Sequence, residues 1–598
     1  MPSVLQSIRS HLQVNNLTAL LLPHRDAHQS EYPPLREYRV KYVSNFSGSA
    51  ATVIITQDEA LLFTDSRYYI QATEELSPEW ILMRSSEPNA DSPSKWCSKH
   101  LPPNSTVGVY SDLISIKEVF DYEKLFSSHN ITLFPMTTDI VGDLWDQDEV
   151  NMRPTLPSTK IYHRNVTYTG ATMSEKIAIV RQELGDHDAM IISSLPETAW
   201  VFNLDSLAIP FSTCPAYTYS IITKEKAVLV VPESQRFGST AEEELRKEGV
   251  EVKREGVEKV AEEMRLWKRR VFIPCTTPFS ILKPFHDAEE SEYDLDQYTV
   301  QKSFIIDLKV VKNPVEQENQ RTASLKDSVA LCEAFCSLHR SVIEGKKRLT
   351  EEDFSDFLIE KRQEKHNFIS PSFESIVAVN GNAAVVHYRP HKQQPINQGD
   401  VILIDSGGFY FEGTTDVTRT FYLGRDKCPN SEIIDNYTRV LMGHIDLFLS
   451  KFPVDTLGSQ LNIVARRHLY DQCRTFGHGV GHGVGIREVH ESGAGISEKN
   501  SDKLKEGMIL SNEPGYYKEN EYGIRTENLM LVKEIFPKWL GFETFTLVPY
   551  DFKLLNPDLL SEKQKEWVNN YYDMIMDKIH PLVNEETKSW LKDMCCKL

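Results

Sequence analysis

The sequence predicts two similar α/β domains in tandem, followed by a larger α+β domain and a helical C-terminal segment. Three observations predict this order: a strand pattern that occurs twice in the first half, a helical stretch followed by short strands with glycine-rich turns, and aromatic residues at helical spacing near the end. The chain has 598 residues. At about 100–200 residues per domain, this length corresponds to roughly three to five domains.

The first half of the chain contains an internal repeat. The tripeptide Ile-Ile-Thr at 54–56 recurs at 221–223, an offset of 167 residues. Each copy is typical of a strand, a connection and a β-hairpin, which turns at 57–58 or at 224–225. Chance similarity between two hairpins is the alternative, but the fixed offset favours duplication of one α/β domain.

The remaining domain boundaries follow from changes in pattern. A proline-containing stretch at 151–159 separates the two copies, and a helical pattern over 315–340 indicates the beginning of the third domain. From about Pro549 onward, aromatic residues recur at helical spacing, among them Trp567 and Trp590. We therefore predict domains at 1–155, 156–307, 308–548 and 549–598.

Composition excludes several functional classes. The formal net charge is −20, from 86 acidic and 66 basic residues, whereas a nucleic-acid-binding protein needs a basic surface to neutralise phosphates. The nine scattered cysteines lack zinc-binding spacing and are typical of a reducing compartment. No apolar segment has the length of a signal peptide core or a membrane span. We expect a cytoplasmic protein that binds neither nucleic acid nor membranes.

Two acidic residues lie beside strand-like segments of the third domain. Asp405 closes the apolar run 401–404, where a buried carboxylate is costly unless it is paired or metal-bound. Asp416 follows a Gly-Thr-Thr turn and precedes a strand-like segment at 417–420. Alone, each residue is typical of a turn or a surface. A hairpin would bring both carboxylates face to face, where they repel unless they share a proton or a cation.

Histidines are concentrated further along the same domain. His478, His482 and His490 occur within thirteen residues in a glycine-rich segment, although a lone histidine is more often a core residue. The glycines between 477 and 485 argue against a regular helix and favour turns and strand with the backbone near a ligand. Glycine-rich loops also bind phosphate, but no P-loop lysine stands at the required position.

Two glutamates complete the set of candidate ligands. Glu513 precedes a Pro-Gly turn after an apolar run, and Glu527 follows fourteen residues later; either alone could be a surface residue. Arg525 stands two residues before Glu527, so a strand would direct both side chains to one face. Arg525 could then orient the metal-binding carboxylates without binding the metal itself.

In their order along the chain, the segments that carry the two aspartates, the histidines and the two glutamates resemble the pita-bread metallopeptidase family. This family includes methionine aminopeptidase, prolidase and aminopeptidase P. The resemblance implies five metal ligands: Asp405, Asp416, His482, Glu513 and Glu527. It also implies that three further histidines line the site, bind the scissile carbonyl with its developing oxyanion and hold the proline end: His387, His478 and His490.

The resemblance extends over nearly the whole chain. Segments at 28–32, 46–50, 64–69 and 199–204 resemble the front domains of the long, eukaryotic-type Xaa-Pro aminopeptidases, and 539–590 resembles their tail. Methionine aminopeptidases lack both front domains, and prolidases usually have one. The resemblance implies two creatinase-like domains, a pita-bread catalytic domain and a helical extension, assembled as a homodimer.

The ligand set indicates the chemistry. Four carboxylates and one imidazole suit Mn²⁺ better than a thiolate-seeking metal, and the family implies two manganese ions, although the ligands alone also permit cobalt or zinc. A water shared by paired metal ions ionises near pH 7. We expect this hydroxide to attack the Xaa-Pro bond, while Glu513 accepts a proton and passes it to the proline nitrogen. Since an Xaa-Pro bond lacks an N–H, general aminopeptidases would cleave it poorly.

Two alternatives stay open: a prolidase that cleaves only Xaa-Pro dipeptides, and a non-catalytic binding protein with the same fold. The second would have lost the metal ligands, and this chain keeps all five. One departure from the long-form pattern lies at 203–209, where Asp205 replaces a basic residue and Ala208 replaces an acid. It puts contacts with longer substrates, or domain docking, in question.

Overall fold

A computed structural model gives the fold of residues 3–157, 160–206, 216–238, 240–256, 258–260, 263, 270–286, 298–345 and 348–598. By internal contacts the chain divides into an N-terminal unit, Met1–Asn165 with Ala171–Ile305, and a C-terminal unit, Val166–Gly170 with Ile306–Leu598. The four domain boundaries taken from the sequence stay a prediction.

The first part of the N-terminal unit is a sheet covered by helices. Its strands are β1 (Ala19–Pro23), β2 (Thr52–Thr56), β3 (Ala60–Thr64), β4 (Ile81–Arg84), β5 (Thr106–Tyr110) and β6 (Thr132–Met136). They lie in the order β4-β3-β2-β1-β5-β6, and β2 runs antiparallel to both of its neighbours. The helices are α1 (Val4–Val14), α2 (Arg39–Ser44), α3 (Tyr69–Glu75), α4 (Pro93–His100), α5 (Ile116–Ser127) and α6 (Ile140–Asp146).

The second part contains a sheet of the same topology. The strands that follow β6 are β7 (Lys160–His163), β8 (Ala189–Ile192), β9 (Leu204–Ser206), β10 (Tyr219–Thr223), β11 (Ala227–Val230), β12 (Arg236–Phe237), β13 (Val250–Lys253), β14 (Val271–Pro274) and β15 (Tyr298–Gln301). The order β13-β11-β10-β8-β14-β15 matches that of the first sheet, and β12-β7-β9 form a small separate sheet. The helices are α7 (Val166–Thr169, in the C-terminal unit), α8 (Met173–Glu183), α9 (Leu195–Val201), α10 (Ala241–Lys247), α11 (Phe279–His286) and α12 (Phe304–Lys309).

The predicted duplication is confirmed by strand register. Ile55 of β2 pairs with Leu20 of β1, and Ile222 of β10 pairs with Met190 of β8, so both copies use equivalent positions. All residues of β10 are buried, as expected for a strand that is covered on both faces of its sheet. Both hairpins also turn where the sequence predicted.

The departure at 203–209 is described only in part. Asp205 lies in β9 with 1% of its surface exposed, and its Oδ2 is 3.8 Å from Nε of Arg164. An acidic residue here is thus accommodated by a nearby guanidinium. Residues 207–209, including Ala208, lie outside the described residues.

The C-terminal unit consists mainly of antiparallel ribbons and long helices. Its strands are β16 (Leu349–Thr350), β17 (Phe368–Pro371), β18 (Ile376–Val379), β19 (Pro395–Ile396), β20 (Val401–Ser406), β21 (Gly408–Tyr410), β22 (Val417–Tyr422), β23 (Phe452–Pro453), β24 (Gly481–Gly485), β25 (Glu488–Ile496), β26 (Ile509–Asn512), β27 (Gly515–Lys518), β28 (Tyr522–Arg525), β29 (Asn528–Phe536) and β30 (Trp539–Thr544). The helices are α13 (Pro314–Ile343), α14 (Glu351–Gln363), α15 (Ser431–Phe448), α16 (Gly458–Tyr470), α17 (Glu562–Lys578) and α18 (Glu585–Met594).

Two sheets of this unit carry the candidate ligands. One has the order β18-β20-β22, the other β23-β30-β29-β26-β24-β25. The strands pair antiparallel, as is usual in α+β domains.

The C-terminal helices are part of the core of this unit. Tyr571, Tyr572 and Trp590 belong to the same buried cluster as strands β20 and β22. The helical extension predicted from the sequence is therefore helical, and it packs into the unit that holds the candidate site. Among the described residues, no helix is long and apolar enough to cross a membrane.

Candidate metal centre

The ribbon of β20 and β22 brings two of the candidate carboxylates together. Asp405 pairs with Thr418 in this antiparallel register, and Asp416 immediately precedes the first residue of β22, opposite the end of β20. Every residue of β20 is buried. The hairpin predicted from the two aspartates is present, and it places both carboxylates at one end of a buried ribbon.

Glycines in β24 allow three strands to approach closely around His482. A Cβ atom on Gly481 would lie 2.0 Å from the carbonyl oxygen of Ser511, and one on Gly483 would lie 2.5 Å from that of Glu491. Neither position can hold a side chain without moving a neighbouring strand. The segment is strand and turn, as predicted, and the glycines fix the place of the imidazole between them.

His482 faces the carboxylates. Its Nε2 lies 3.5 Å from Oδ2 of Asp416 and 3.5 Å from Oε1 of Glu513. Its Nδ1 lies 3.0 Å from the carbonyl oxygen of Gly483, which can only accept a hydrogen bond. A neutral imidazole that donates from Nδ1 presents the lone pair of Nε2 to the carboxylates, the arrangement of a metal-binding histidine. Ligand atoms of Asp416, His482 and Glu527 all lie within 4.8 Å of one another.

Both glutamates are held by neighbouring strands. The backbone N–H of Glu527 donates to Thr418 O at 3.1 Å, and its Oε2 accepts from the Thr418 hydroxyl at 2.7 Å. The backbone N–H of Glu513 donates to Val480 O at 2.8 Å, and its Oε1 accepts from the Ser511 hydroxyl at 3.2 Å. Each carboxylate is thus fixed at its backbone and at one oxygen.

Arg525 contacts a candidate ligand, but not through the predicted strand geometry. The strand ends at Arg525, and β29 begins at Asn528, so Glu527 lies in a break between the two strands. Arg525 nevertheless donates from Nη2 to Oδ2 of Asp405 at 2.6 Å and from Nη1 to the Tyr517 hydroxyl at 2.7 Å. It reaches the carboxylates because β28 packs against β20.

The electrostatics of the cluster are unbalanced without a cation. Burial raises the pKa of Asp405 to about 7, where the charges of Asp416 and Glu513 add to the shift and Arg525 opposes it. Burial also raises the pKa of Glu513 and, together with the charges of both aspartates, that of Glu527. Burial would lower the pKa of His482, but a hydrogen bond to Asp416 and the charge of Glu513 raise it to about 9.

These residues fit divalent metal ions. Buried carboxylates at this spacing repel one another unless a cation or protons compensate. Oδ1 of Asp405 is buried and has no hydrogen-bond partner among the described residues. An oxygen-rich set with one unpaired buried oxygen and an inward-facing imidazole is a donor set for hard divalent ions.

The other candidate histidines border the cluster. His478 lies with Nε2 2.7 Å from the Tyr517 hydroxyl, and its Nδ1 is 3.9 Å from Oε2 of Glu513. The ring of His490 packs edge-on against His482, with 4.3 Å between centroids. The cluster therefore brings His478 and His490 beside the candidate ligands.

His387 lies in a half-buried turn after the 3₁₀ helix Asn380–Ala384, which packs against β20 and β28. The buried carboxylate of Glu351 accepts from three groups that flank this turn: the backbone N–H of Val379 at 2.9 Å, Nδ2 of Asn382 at 3.0 Å and the Tyr388 hydroxyl at 2.6 Å. Glu351 thus ties together the two sides of the segment that carries His387.

Sequence reasoning missed several residues around the site. Tyr517 lies in β27, only four residues after Glu513, so its closeness in sequence to that candidate ligand was a usable signal. Glu351 comes from a distant segment, as do Lys309 and the buried Lys312, which pair with Glu491 next to His490. No local pattern identifies them.

Comparison with known protein families gives four matches along the chain. The model of metallopeptidase family M24 matches residues 318–534, and that of the C-terminal region of these peptidases matches 538–598. Two models of the creatinase/prolidase N-terminal domain match residues 5–141 and 152–316.

Similar proteins match over nearly the whole chain. A probable Xaa-Pro aminopeptidase P of Coprinopsis cinerea is 32% identical over 616 residues, which cover 98% of this chain and 97% of that protein. Xaa-Pro aminopeptidase 2 of Homo sapiens is 33% identical over 594 residues, covering 96% and 85%. The crystal structure of X-prolyl aminopeptidase from Caenorhabditis elegans, described as a cytosolic enzyme with a di-nuclear active site, superposes with a TM-score of 0.92 at 29% identity, covering 100% of this chain and 99% of the other.

Proposed function

The chain belongs to the Xaa-Pro aminopeptidases of metallopeptidase family M24, and from this membership we propose that it removes the N-terminal residue from peptides with proline in the second position. One observation carries the proposal: the cluster of the buried Asp416 and Glu527 with the half-buried His482, in a chain that matches Xaa-Pro aminopeptidases over nearly its whole length. The cluster supplies the chemistry, and the similarity supplies the proline preference.

We propose that two divalent metal ions bind here, held by five ligands: Asp405, Asp416, His482, Glu513 and Glu527. The C. elegans enzyme is described as di-nuclear, and the mainly oxygen donor set favours Mn²⁺. When bound, such ions polarise a carbonyl and supply a hydroxide nucleophile near neutral pH.

Glu513 is the proposed proton carrier. The Ser511 hydroxyl holds Oε1, and Oε2 lies 3.9 Å from Nδ1 of His478, so the carboxylate is held among the residues that border the proposed metal ions. It takes a proton from the attacking water and passes it to the proline nitrogen. That nitrogen must be protonated because it leaves as a secondary amine.

The three remaining histidines orient the substrate in this proposal. His478 and His490 border the ligand cluster, and His387 lies on a segment that packs against β20. Imidazole N–H groups at such positions can donate to the scissile carbonyl as negative charge develops on its oxygen. Loss of one such donor costs about 10²–10³ in rate in other hydrolases.

A prolidase is the nearest alternative, and substrate length separates the two. Purified enzyme with Mn²⁺ is assayed on Arg-Pro-Pro and on Arg-Pro. We expect release of arginine from the tripeptide, and cleavage of the dipeptide alone would contradict the proposal. The variants His482→Ala and Glu513→Ala should lose activity, whereas Glu519→Ala, in an exposed turn near the site, is the matched control.

A non-catalytic binding protein is the second alternative. It would bind no transition metal, so metal analysis of the purified protein and activation by added Mn²⁺ distinguish it from the proposed enzyme. Cobalt and zinc are compared in the same assay because the ligand set admits them.

We also propose that the enzyme is a cytoplasmic homodimer. The C. elegans enzyme is described as cytosolic, and the described cysteines are free thiols. Helix α16 exposes Ile463 and Tyr470, two turns apart on one face, which supports an apolar contact between copies. Sedimentation analysis of wild type and Ile463→Glu tests the dimer, and cell fractionation tests the location.

A further inference from the structure

A buried hydroxyl of the C-terminal region touches the neighbours of both candidate glutamate ligands. The hydroxyl of Tyr550 lies 3.1 Å from Nε2 of His444 and 3.1 Å from Nδ2 of Asn528, the residue after Glu527. On its other side, His444 holds Asn512, the residue before Glu513. A single phenol thus connects to both glutamates through their sequence neighbours.

The hydrogen-bond directions in this network can be assigned. Burial, together with the charge of Arg419, lowers the pKa of His444 well below its usual value, so the ring is neutral. Its Nδ1 lies 3.1 Å from the Asn512 carbonyl oxygen, which only accepts, so Nδ1 carries the hydrogen. Nε2 then accepts from the Tyr550 hydroxyl, whose oxygen accepts from the Asn528 amide. Nδ2 of Asn512 donates back to His444 O at 3.0 Å.

Arg419 connects the same network to Glu527 itself. Its Nη1 donates to the carbonyl oxygen of Glu527 at 2.6 Å, and its Nη2 donates to Oδ1 of Asn528 at 2.7 Å and to the Tyr571 hydroxyl at 3.0 Å. The guanidinium lies over the Tyr550 ring, 4.6 Å from its centroid. Two tyrosines of the C-terminal region therefore hold the arginine that fixes the backbone of a candidate ligand.

The network is sealed from solvent. His444, Asn512 and Asn528 have no exposed surface, and Tyr550 is 1% exposed. Water cannot replace a lost partner at such a site, so removal of one hydroxyl leaves the facing donor and acceptor unsatisfied. The unsatisfied groups belong to His444 and Asn528, so their rearrangement would displace the backbone segments that carry Glu513 and Glu527.

We propose that Tyr550 is a positioning residue for the metal centre, and that the C-terminal region holds the backbone segments that carry Glu513 and Glu527. The proposal rests on the proposed function, because it takes Glu513 and Glu527 as metal ligands. Groups that hydrogen-bond metal ligands directly typically affect metal affinity by about 10–100-fold, which is the upper bound for Tyr550, since it acts through the neighbours of the ligands.

Tyr437 provides a matched control. Its side chain is fully buried, and its hydroxyl accepts from the backbone N–H of Asp551 at 2.9 Å, next to Tyr550 in the chain. Its hydroxyl bonds to Asp551 and not to His444 or Asn528. Tyr437→Phe and Tyr550→Phe each remove one buried hydroxyl, so both should lower the melting temperature of the metal-free protein, Tyr550→Phe by more because two partners lose a hydrogen bond.

Calorimetric titration of metal-free, full-length protein with MnCl₂ separates the two variants. We expect Tyr550→Phe to weaken Mn²⁺ binding at one site or both by about tenfold or more, and Tyr437→Phe to bind as wild type does. Turnover of Arg-Pro-Pro by Tyr550→Phe should recover in excess Mn²⁺. Equal Mn²⁺ affinity of both variants would overturn the proposal while leaving the proposed activity intact.

Failure of the proposed metal centre gives a different result, because wild type itself would then bind no Mn²⁺; failure of the proline specificity alone would appear only in the assay on Arg-Pro-Pro and Arg-Pro. Tyr571→Phe is the second variant, for use if Tyr550→Phe does not fold. It removes the hydroxyl that accepts from Nη2 of Arg419, and it should weaken Mn²⁺ binding in the same direction. Wild-type affinity in that variant would also count against the proposal.

Discussion

Arg525 donates to Oδ2 of Asp405 at 2.6 Å with one arm of its guanidinium, while the other arm donates to the Tyr517 hydroxyl at 2.7 Å. The same hydroxyl lies 2.7 Å from Nε2 of His478. One planar cation therefore fixes a candidate metal ligand and, through a phenol, a histidine that borders the cluster. A lysine ammonium has no such fork and cannot hold both partners in this geometry.

We accordingly expect Arg525→Lys to retain the fold but to lower kcat by about 10–100-fold, since the orientation of Asp405 is lost. The measurement is kcat on Arg-Pro-Pro at saturating Mn²⁺. Arg321→Lys is the control, because Arg321 pairs with Glu543 in a half-exposed position. Equal kcat values for the two variants would show that the fork is dispensable.

The chain order of the candidate ligands could be predicted because each stands beside a local signal. Asp405 closes an apolar strand, and His482 lies among glycines that allow strands to approach. The partners that orient these ligands carry no such signal. Tyr550 is 106 residues from His444, and Glu351 is 37 residues from Tyr388, so only the folded chain brings them together.

The strand prediction for Arg525 and Glu527 also shows that local sequence does not predict contacts made by packing between segments. Alternation along one strand predicted a shared face, but the strand ends at Arg525, and Glu527 is held by Thr418 of a neighbouring strand. Contact between Arg525 and Asp405 arises from packing of β28 on β20. The sequence therefore predicted correctly that Arg525 contacts a candidate ligand. The predicted reason, a shared strand face with Glu527, is not the one found in the fold.

Glu491, next to His490, is a buried carboxylate held by two lysines. Its Oε1 accepts from Lys309 at 2.7 Å, and its Oε2 pairs with Lys312, which is 2% exposed. Removal of one partner from a buried ion pair costs about 3–5 kcal/mol. We expect Lys312→Met to lower the free energy of unfolding by about 3 kcal/mol or more, as measured by urea denaturation.

The double variant Lys312→Met/Glu491→Gln should recover part of that loss, because the neutral amide no longer needs a second cation. Lys503→Met is the surface control, since Lys503 and Asp455 form an exposed pair. A double variant as unstable as the sum of both single variants would show that the two side chains are not coupled.

Glu351 holds the segment of His387 by accepting three hydrogen bonds, from Val379, Asn382 and Tyr388. A glutamine amide is half donor, so in Glu351→Gln the side chain cannot accept from all three groups. We expect a rise in KM of about tenfold at unchanged Mn²⁺ affinity, since one lost hydrogen bond to a charged group corresponds to roughly 1.5 kcal/mol or more. Glu352→Gln, in a surface pair with Lys392, is the control. Weakened Mn²⁺ binding by Glu351→Gln would instead show that Glu351 acts on the candidate metal ligand Asp405 in β20, and not on His387.

The stability of the N-terminal unit should depend on pH through His24. This side chain is 5% exposed, and neither ring nitrogen has a hydrogen-bond partner among the described residues; the ring lies edge-on to Tyr38. Burial lowers the pKa of His24 to about 4, against 6.5 in the unfolded chain. Between these values the unfolded chain takes up a proton that the folded chain refuses, so the free energy of unfolding falls as pH falls from 6.5 to 4.

His24→Leu removes this dependence. As the pH falls from 7.5 to 5, the free energy of unfolding of wild type should fall by about 2 kcal/mol more than that of the variant. Each pH unit below 6.5 contributes about 1.4 kcal/mol to this difference. Urea denaturation at both pH values measures the difference, with His11→Leu, at an exposed position of α1, as the control. A difference between His24→Leu and wild type that stays constant across this range would mean that the ring is protonated inside the fold, and that a partner for its nitrogens forms on protonation.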